Sequence, residues 1–170
     1  MGVPLSEETI RALAGLERDP PISEEGLSAL LAYVAGSFET TLPDDYLAFL
    51  RIANGADGAL EGGLPIVLWA SDLLREMNVD NQTEAWMPGC LIIGSDAGDL
   101  VYGIDMRAEP SPERYIESED AGLSWDYLLW QGRSFDDLIA RVNRPLGSAT
   151  ADRRDGSLRA RLARPFRPRR

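Results

Sequence analysis

Apolar residues recur with a helical spacing in several segments of the chain. The clearest segment is LPDDYLAFLRIANG, whose apolar positions at i, i+3, i+4 and i+7 are Tyr46, Phe49, Leu50 and Ala53. Pro43 suits the first turn of a helix, because its missing N–H would have no intrahelical partner there. Asn54 and Gly55 tolerate left-handed backbone, so they predict the end of this helix.

Further helices are predicted on both sides of this segment. One begins after Ser6, a good N-cap residue, and ends before the proline pair at 20–21. A second begins after Ser23 and ends at Gly36, and the last begins after Ser134. The apolar faces of these last two helices are Leu27, Leu30, Leu31 and Val34, and Phe135, Leu138, Ile139 and Val142.

Short apolar runs bounded by turn residues predict strands in the middle of the chain. The predicted strands are Pro65–Trp69, Cys90–Ile93, Leu100–Met106 and Arg114–Glu117. The run Trp125–Trp130 fits a strand or a helix, and Asn78–Pro88 is predicted to be polar and irregular. The order of helices, strands and a final helix predicts an α+β domain. We expect an antiparallel-leaning mixed sheet of about four to six strands, flanked by N-terminal helices and a C-terminal helix.

The charge divides the chain into two parts. Residues 1–143 hold 26 acidic residues and 8 arginines, a net charge of −18, whereas residues 144–170 hold 9 arginines and 2 aspartates, a net charge of +7. Apolar residues also become scarce from Arg144 onward. We therefore predict one domain over 1–143 and an arginine-rich flexible tail over 144–170, with a short helix near Ser157–Ala163. The acidic domain should attract cationic partners and repel nucleic acid.

Two missing residue types narrow the chemistry. The chain has no histidine, which removes the commonest general base and zinc ligand and every Ser-His-Asp or Cys-His site. All 17 basic residues are arginine, so Schiff-base chemistry and a P-loop lysine are excluded as well. Carboxylate chemistry, as in glycosidases, is left open, but no two acids are placed as a pair for it. We expect no catalytic residue and no cofactor.

The single cysteine and the absence of a membrane-spanning apolar run bear on location. Cys90 cannot form an intramolecular disulfide, and its apolar neighbours predict a buried, inert thiol. No apolar run has the length of a membrane span, and the N-terminus lacks the layout of a signal peptide. We therefore expect a cytoplasmic protein.

Three motifs in a fixed order resemble a known family. They are LPDDYLAFLRIANG, a strand ending in Leu68-Trp69, and the strand–turn–strand sequence LIIGSDAGDLVYGID, followed by a final SFDDL helix. Together they resemble the SUKH superfamily, the group of the fungal cell-wall-assembly regulators and of many bacterial toxin-immunity proteins. The resemblance covers roughly residues 24–142. The residues that carry it are Leu42, Pro43, Tyr46, Phe49, Asn54, Gly55, Trp69 and Gly94.

The resemblance implies an α+β domain and, in bacteria, a cytoplasmic protein that binds and neutralises a toxin. It implies no active site, so no catalytic residue is carried over. The helix before Ser23 and the arginine-rich segment after Asn143 lie outside the family pattern. These two departures leave open the branch of the family.

Candidate partner-binding residues come from one aromatic position and a series of acids. They are Trp69, Asp96, Asp99, Asp105, Glu117, Glu119 and Asp120. Trp69 fits either a binding groove or the core, and an acidic run fits either a solvated face or a surface for a basic partner. The spacing of Asp96, Asp99 and Asp105 does not match an EF-hand loop, so no metal site is predicted.

Two functions of different classes follow. The first is a non-catalytic immunity protein that blocks a basic toxin, such as a nuclease with a phosphate-binding cleft, by occupying it. The alternative is a cytoplasmic scaffold or regulator of the cell-wall-assembly type, with the arginine-rich segment as its recruiting arm. That segment could instead fold back on the acidic domain. The identity of the partner, the surface that binds it and the oligomeric state stay open.

Overall fold

The computed structural model describes residues 3–144 of the chain. The helices of this part are α1 (Glu7–Ala14), α2 (Glu24–Ser37), α3 (Asp44–Leu50), α4 (Leu74–Asp80), α5 (Thr83–Trp86) and α6 (Phe135–Val142). The strands are β1 (Glu17–Arg18), β2 (Ala56–Ala59), β3 (Pro65–Leu68), β4 (Cys90–Ser95), β5 (Leu100–Asp105), β6 (Tyr115–Glu119) and β7 (Leu128–Gly132). A 3₁₀ turn, Asp120–Gly122, follows β6.

Each strand pairs with the next one along the chain, so the sheet order is β1 to β7 without a crossover. All six pairings are antiparallel. Such neighbours need only short connections. The predicted α+β fold with flanking helices is confirmed. The sheet is wholly antiparallel instead of mixed, and it has seven strands instead of about four to six.

The additional strands lie at the start of the sheet. β1 is the charged pair Glu17–Arg18, and β2 has the sequence ADGA, so neither shows the apolar alternation of a strand. Glu17 pairs with Asp57, and Ala56 pairs in turn with Leu68 of β3. Backbone pairing to β3 therefore recruits these residues, and their side chains give no signal of it.

In two segments, the sequence pattern did not predict the structure that is observed. The prediction that Asn78–Pro88 is irregular is wrong for most of the stretch, because α4 continues to Asp80 and α5 covers Thr83–Trp86. The two helices are separated by Gln82, which has a left-handed backbone with φ 52°. The ambiguous run Trp125–Trp130 contributes its last residues to a strand, β7.

An aromatic cluster fixes α3 against α6 and the sheet. The ring of Phe49 stacks on Phe135 with centroids 4.8 Å apart, and the rings of Tyr46 and Tyr115 lie 6.0 and 6.1 Å from that of Phe135. All four side chains are fully buried. Ser134 caps α6 through a capping box with Asp137, which satisfies two backbone N–H groups at the start of this helix.

The described residues end just after α6. The side chain of Asn143 accepts a hydrogen bond of 3.0 Å from the N–H of Gly62, so the chain leaves α6 beside the β2–β3 connection. The predicted tail and its short helix lie outside the described residues apart from Arg144. The boundary at 143 therefore stays a prediction.

Candidate protein-interaction surface

The residues that carry the family resemblance build the interior. Leu42, Tyr46 and Phe49 are buried, and Trp69 is only 8% exposed. The backbone N–H of Trp69 also donates to the carbonyl oxygen of Ile93. Trp69 therefore fills the core and offers no surface for a groove.

Asn54 and Gly55 act after α3 has ended, so their effect differs from the predicted helix stop. The side chain of Asn54 accepts a hydrogen bond of 3.0 Å from the N–H of Ser71, which ties α3 to the segment after β3. Gly55 has φ 121°, and an added Cβ would lie 2.8 Å from Oδ2 of Asp19. Gly55 thus permits both the left-handed backbone and the close approach.

Asp105 is a structural carboxylate. It is fully buried at the end of β5, where its oxygens accept hydrogen bonds from the Arg107 side chain at 2.9 and 2.7 Å and from the N–H of Ser111 at 2.8 Å. Burial alone would raise the pKa of Asp105, but these hydrogen bonds outweigh it and lower the pKa below its ordinary value. The Arg107 guanidinium also lies 3.8 Å from the ring centroid of Trp125.

Glu117 also lies inside the sheet. It is 6% exposed, and its backbone pairs with Tyr102 on one side and Leu129 on the other. Like Trp69 and Asp105, it is not accessible to a partner in this structure. These three of the seven candidate residues therefore have no part in the surface that we propose below.

The other four candidates come together at one end of the sheet. We call Asp96, Asp99, Glu119 and Asp120 the acidic corner. Glu119 pairs with Leu100, and the N–H of Asp120 donates to the carbonyl oxygen of Asp99 at 2.8 Å. Asp99, Glu119 and Asp120 are exposed. None of the four forms an ion pair with residues 3–144.

Asp96 organises the turn that presents the acidic corner. Its Oδ1 accepts hydrogen bonds from the N–H groups of Gly98 at 2.9 Å and Leu100 at 3.0 Å. Ala97, between them, has a left-handed backbone with φ 58°. This is the local bonding that makes aspartate common in turns, so Asp96 positions Asp99.

A second surface was missed by the sequence reasoning. We call the exposed faces of α4 and α5, with the grooves beside them, the α4–α5 surface. A groove of about 520 Å³ lies on one side, lined by α2 and these helices; its apolar residues include Tyr33, Phe38, Val79 and Ala85. A groove of about 580 Å³ lies on the other side, with Asp80, Trp86, Asp120 and Tyr127 in its lining. Gln82 lines both grooves.

Three of the exposed side chains of this surface are large and apolar. Val79 is 67% exposed and Trp86 63% exposed, and Tyr127 is exposed as well. In the sequence, Val79 and Trp86 stand alone in a polar stretch without a helical partner. Their isolation was the available sequence signal for an exposed apolar surface. It was missed because α4 and α5 are too short and too sharply separated to show one apolar face in the sequence.

Among residues 3–144, no cluster of three or more aspartate, glutamate or cysteine side chains is placed to hold a metal ion. Burial raises the pKa of the Cys90 thiol, and Asp105 raises it further, so the thiolate is disfavoured. The two surfaces described above expose charged and apolar side chains.

A comparison with protein-family models identifies the family of this chain. A model of the SMI1 / KNR4 family (SUKH-1) matches residues 28–141, from within α2 to within α6. The match confirms the resemblance drawn from the motifs, and it leaves out α1 and the segment from Arg144. A comparison with curated proteins gave no match. No helix of residues 3–144 has the length and apolar character needed to cross a membrane. Because the match covers more than half of its 170 residues, the chain belongs to the SMI1 / KNR4 family (SUKH-1).

Proposed function

We propose that this chain is a non-catalytic binding protein of the immunity type, which neutralises a cognate basic toxin domain by binding it. The observation that carries the proposal is the acidic corner. Three exposed carboxylates, Asp99, Glu119 and Asp120, stand on adjacent hydrogen-bonded backbone without an ion-pair partner in the described part. Backbone pairing brings these three acidic residues together at one exposed corner, and such a concentration of negative charge favours a cationic partner.

The mechanism needs charge and shape but no reaction. A toxin that cleaves nucleic acid holds phosphates in a basic cleft. The net charge of −18 over residues 1–143 would steer this chain toward such a cleft and raise the association rate. Once bound, the acidic corner would occupy the positions of phosphate groups and exclude the substrate.

The test is co-expression with toxin candidates encoded beside this gene. We expect one candidate to be toxic alone and harmless with this chain, and the purified pair to bind with an association rate that falls as salt is added. Protection by no candidate, or binding that is insensitive to salt, would argue against the proposal.

Matched charge variants locate the surface. The triple variant Asp99→Asn, Glu119→Gln and Asp120→Asn should slow association and weaken protection. The control Glu17→Gln, Asp57→Asn and Glu61→Gln removes three exposed charges near β1 and β2, far along the strand order from the acidic corner. Equal losses in both variants would show that net charge, and not the acidic corner, determines binding.

The alternative is a scaffold or regulator whose arginine-rich segment recruits the partner. It is favoured by the net charge of +7 on residues 144–170, opposite in sign to the rest of the chain. Deleting Arg144–Arg170 separates the two functions. The immunity function predicts that the partner still binds, whereas the scaffold function predicts that binding is lost.

A further inference from the structure

We propose that the α4–α5 surface is the docking site of this chain's own C-terminal segment, residues 145–170. The inference goes beyond the proposed function, because it needs no second protein. It starts from the exposure of Val79 and Trp86, the two most exposed of the large apolar side chains of residues 3–144. Apolar side chains grouped beside grooves mark a surface that another chain segment covers.

One polar atom in the first groove is also without a partner. Thr83 lines that groove, is only 2% exposed, and its Oγ1 makes no hydrogen bond with the described residues. A buried hydroxyl without a partner costs free energy. A backbone group of a segment lying in the groove could supply the missing hydrogen bond.

The second groove has the chemistry of an arginine site. Trp86 and Tyr127 offer exposed rings, and Asp80 and Asp120 offer exposed carboxylates beside them. A guanidinium can stack on an aromatic ring while it pairs with a carboxylate. The same chain already shows this combination elsewhere, where Arg107 pairs with Asp105 and lies over Trp125.

The C-terminal segment has the matching composition. Residues 145–170 hold 8 arginines against 2 aspartates. Its large apolar residues are Leu146, Leu158, Leu162 and Phe166. The arginines suit the second groove and the apolar side chains suit the first, so one segment can satisfy both.

The segment is long enough to reach this surface. It starts beside Gly62, where Asn143 is held by a hydrogen bond. Its 26 residues can extend by up to about 3.3–3.6 Å each, roughly 90 Å in total. A compact domain of this size has a radius of gyration of only about 15 Å. Every part of the surface is therefore within reach.

The test uses the full chain with a nitroxide label in the C-terminal segment. Ser157→Cys provides the attachment site, since Cys90 is only 3% exposed. We expect paramagnetic broadening of the amide signals of residues 79–86 and 120–127 and of the Trp86 indole signal, with most of their intensity lost. Absence of broadening there, or broadening centred on another surface, would overturn the proposal.

Site variants test whether the segment binds at the α4–α5 surface, and a mixture of labelled and unlabelled chains tests whether the contact is intramolecular. Trp86→Ala with Asp80→Asn changes two exposed side chains, so the fold should persist, and the broadening should disappear. The control Glu17→Gln with Asp57→Asn should leave it unchanged. Broadening that survives the first pair would reject the site. Broadening that arises only when a labelled chain is mixed with an isotope-enriched unlabelled chain would identify a second copy as the occupant and reject the intramolecular proposal.

Discussion

At the residue scale, Asp45 connects three elements through one carboxylate. Its Oδ1 accepts a hydrogen bond of 2.8 Å from the hydroxyl of Tyr115 on β6. Its Oδ2 accepts one of 2.6 Å from the N–H of Phe135, the first residue of α6. The sequence favours Asp45 only as an acid in the first turn of α3, where the helix dipole attracts negative charge. Its larger contribution comes from satisfying a buried hydroxyl and a free helix N–H of distant segments.

Asp45→Ala should therefore destabilise the protein by roughly 2–4 kcal/mol, because two donors lose a charged acceptor. Urea unfolding followed by tryptophan fluorescence measures this free energy. Asp44→Ala is the matched control: Asp44 is exposed in the same turn, and we expect a loss of only about 0.3–1 kcal/mol. Equal losses of stability in the two variants would show that Asp45 acts only through its interaction with the helix dipole.

Asp105 makes the free energy of unfolding depend on pH, and the direction of its pKa shift determines the sign of that dependence. Burial acts to raise the pKa of Asp105, but hydrogen bonds from Arg107 and Ser111 lower it overall. The folded state therefore binds this proton less readily than the unfolded state. The stabilisation is complete above the ordinary aspartate pKa of about 4 and is lost as the pH falls through the lower folded value.

Arg107→Met should lower the free energy of unfolding at pH 7, because Asp105 becomes a buried charge without its main partner. The difference from the parent chain should narrow as the pH falls toward and below about 4, because the unpaired Asp105 of the variant takes up a proton more readily than Asp105 of the parent. Urea titrations at several pH values measure it. Arg11→Met, an exposed change on α1, should give a difference that does not vary with pH. A constant difference for Arg107→Met would contradict the assignment.

At the scale of elements, Gly94 lies on β4 where this strand pairs with β3, between strands β1–β3 and β4–β7 of the sheet. β3 and β4 are paired through Val67 with Ser95 and Leu68 with Gly94, and the N–H of Trp69, directly after β3, donates to the carbonyl oxygen of Ile93. A Cβ at Gly94 would collide with the carbonyl oxygen of Val67. The β4–β5 register also shifts between Ile92 and Gly94. The glycine that helped to mark the family therefore permits a close backbone approach.

Gly94→Ala should destabilise the protein by roughly 1–3 kcal/mol, as overpacking of a fixed backbone does. Gly36→Ala provides a control of opposite sign. Gly36 lies within α2 with open space around its Cα, so alanine there should stabilise by up to about 1 kcal/mol. Thermal unfolding of both variants measures the two effects. A tolerated Gly94→Ala would show that β3 and β4 can separate without cost.

The elements with a strong local signal could be predicted from the sequence. The apolar face of α6 and its Ser134 cap are plain in the sequence, and so is the apolar run CLII of β4. β1 and β2 could not be predicted, because neither the charged pair Glu17–Arg18 nor the sequence ADGA alternates apolar and polar residues, and only backbone pairing makes them strands. The acidic corner could be predicted only in part. Its acids were identified from the sequence, but Asp105 and Glu117 were identified with them, because their burial depends on tertiary packing.

At the scale of the whole molecule, opposite charges occupy separate parts of the chain. The acidic corner and the α4–α5 surface meet at Asp120, which belongs to both. If the C-terminal segment docks on the α4–α5 surface, its arginines approach the acidic corner. A basic partner would then compete with the chain's own segment, which would reduce binding to weakly basic proteins and favour a strongly complementary one.

The acidic corner should cost stability, since it gathers exposed like charges without an ion-pair partner in residues 3–144. The triple variant Asp99→Asn, Glu119→Gln and Asp120→Asn should therefore be more stable than the parent chain by a few tenths of a kcal/mol at low salt. The gain should shrink in about 0.5 M NaCl, where exposed charges are screened. Urea unfolding at the two salt concentrations measures it, with Glu39→Gln, Glu61→Gln and Glu109→Gln, three exposed acids at separate places in the sequence, as the control for net charge. If the triple variant were less stable than the parent chain at low salt, these acids would support the fold. Their arrangement would then need no binding partner to explain it.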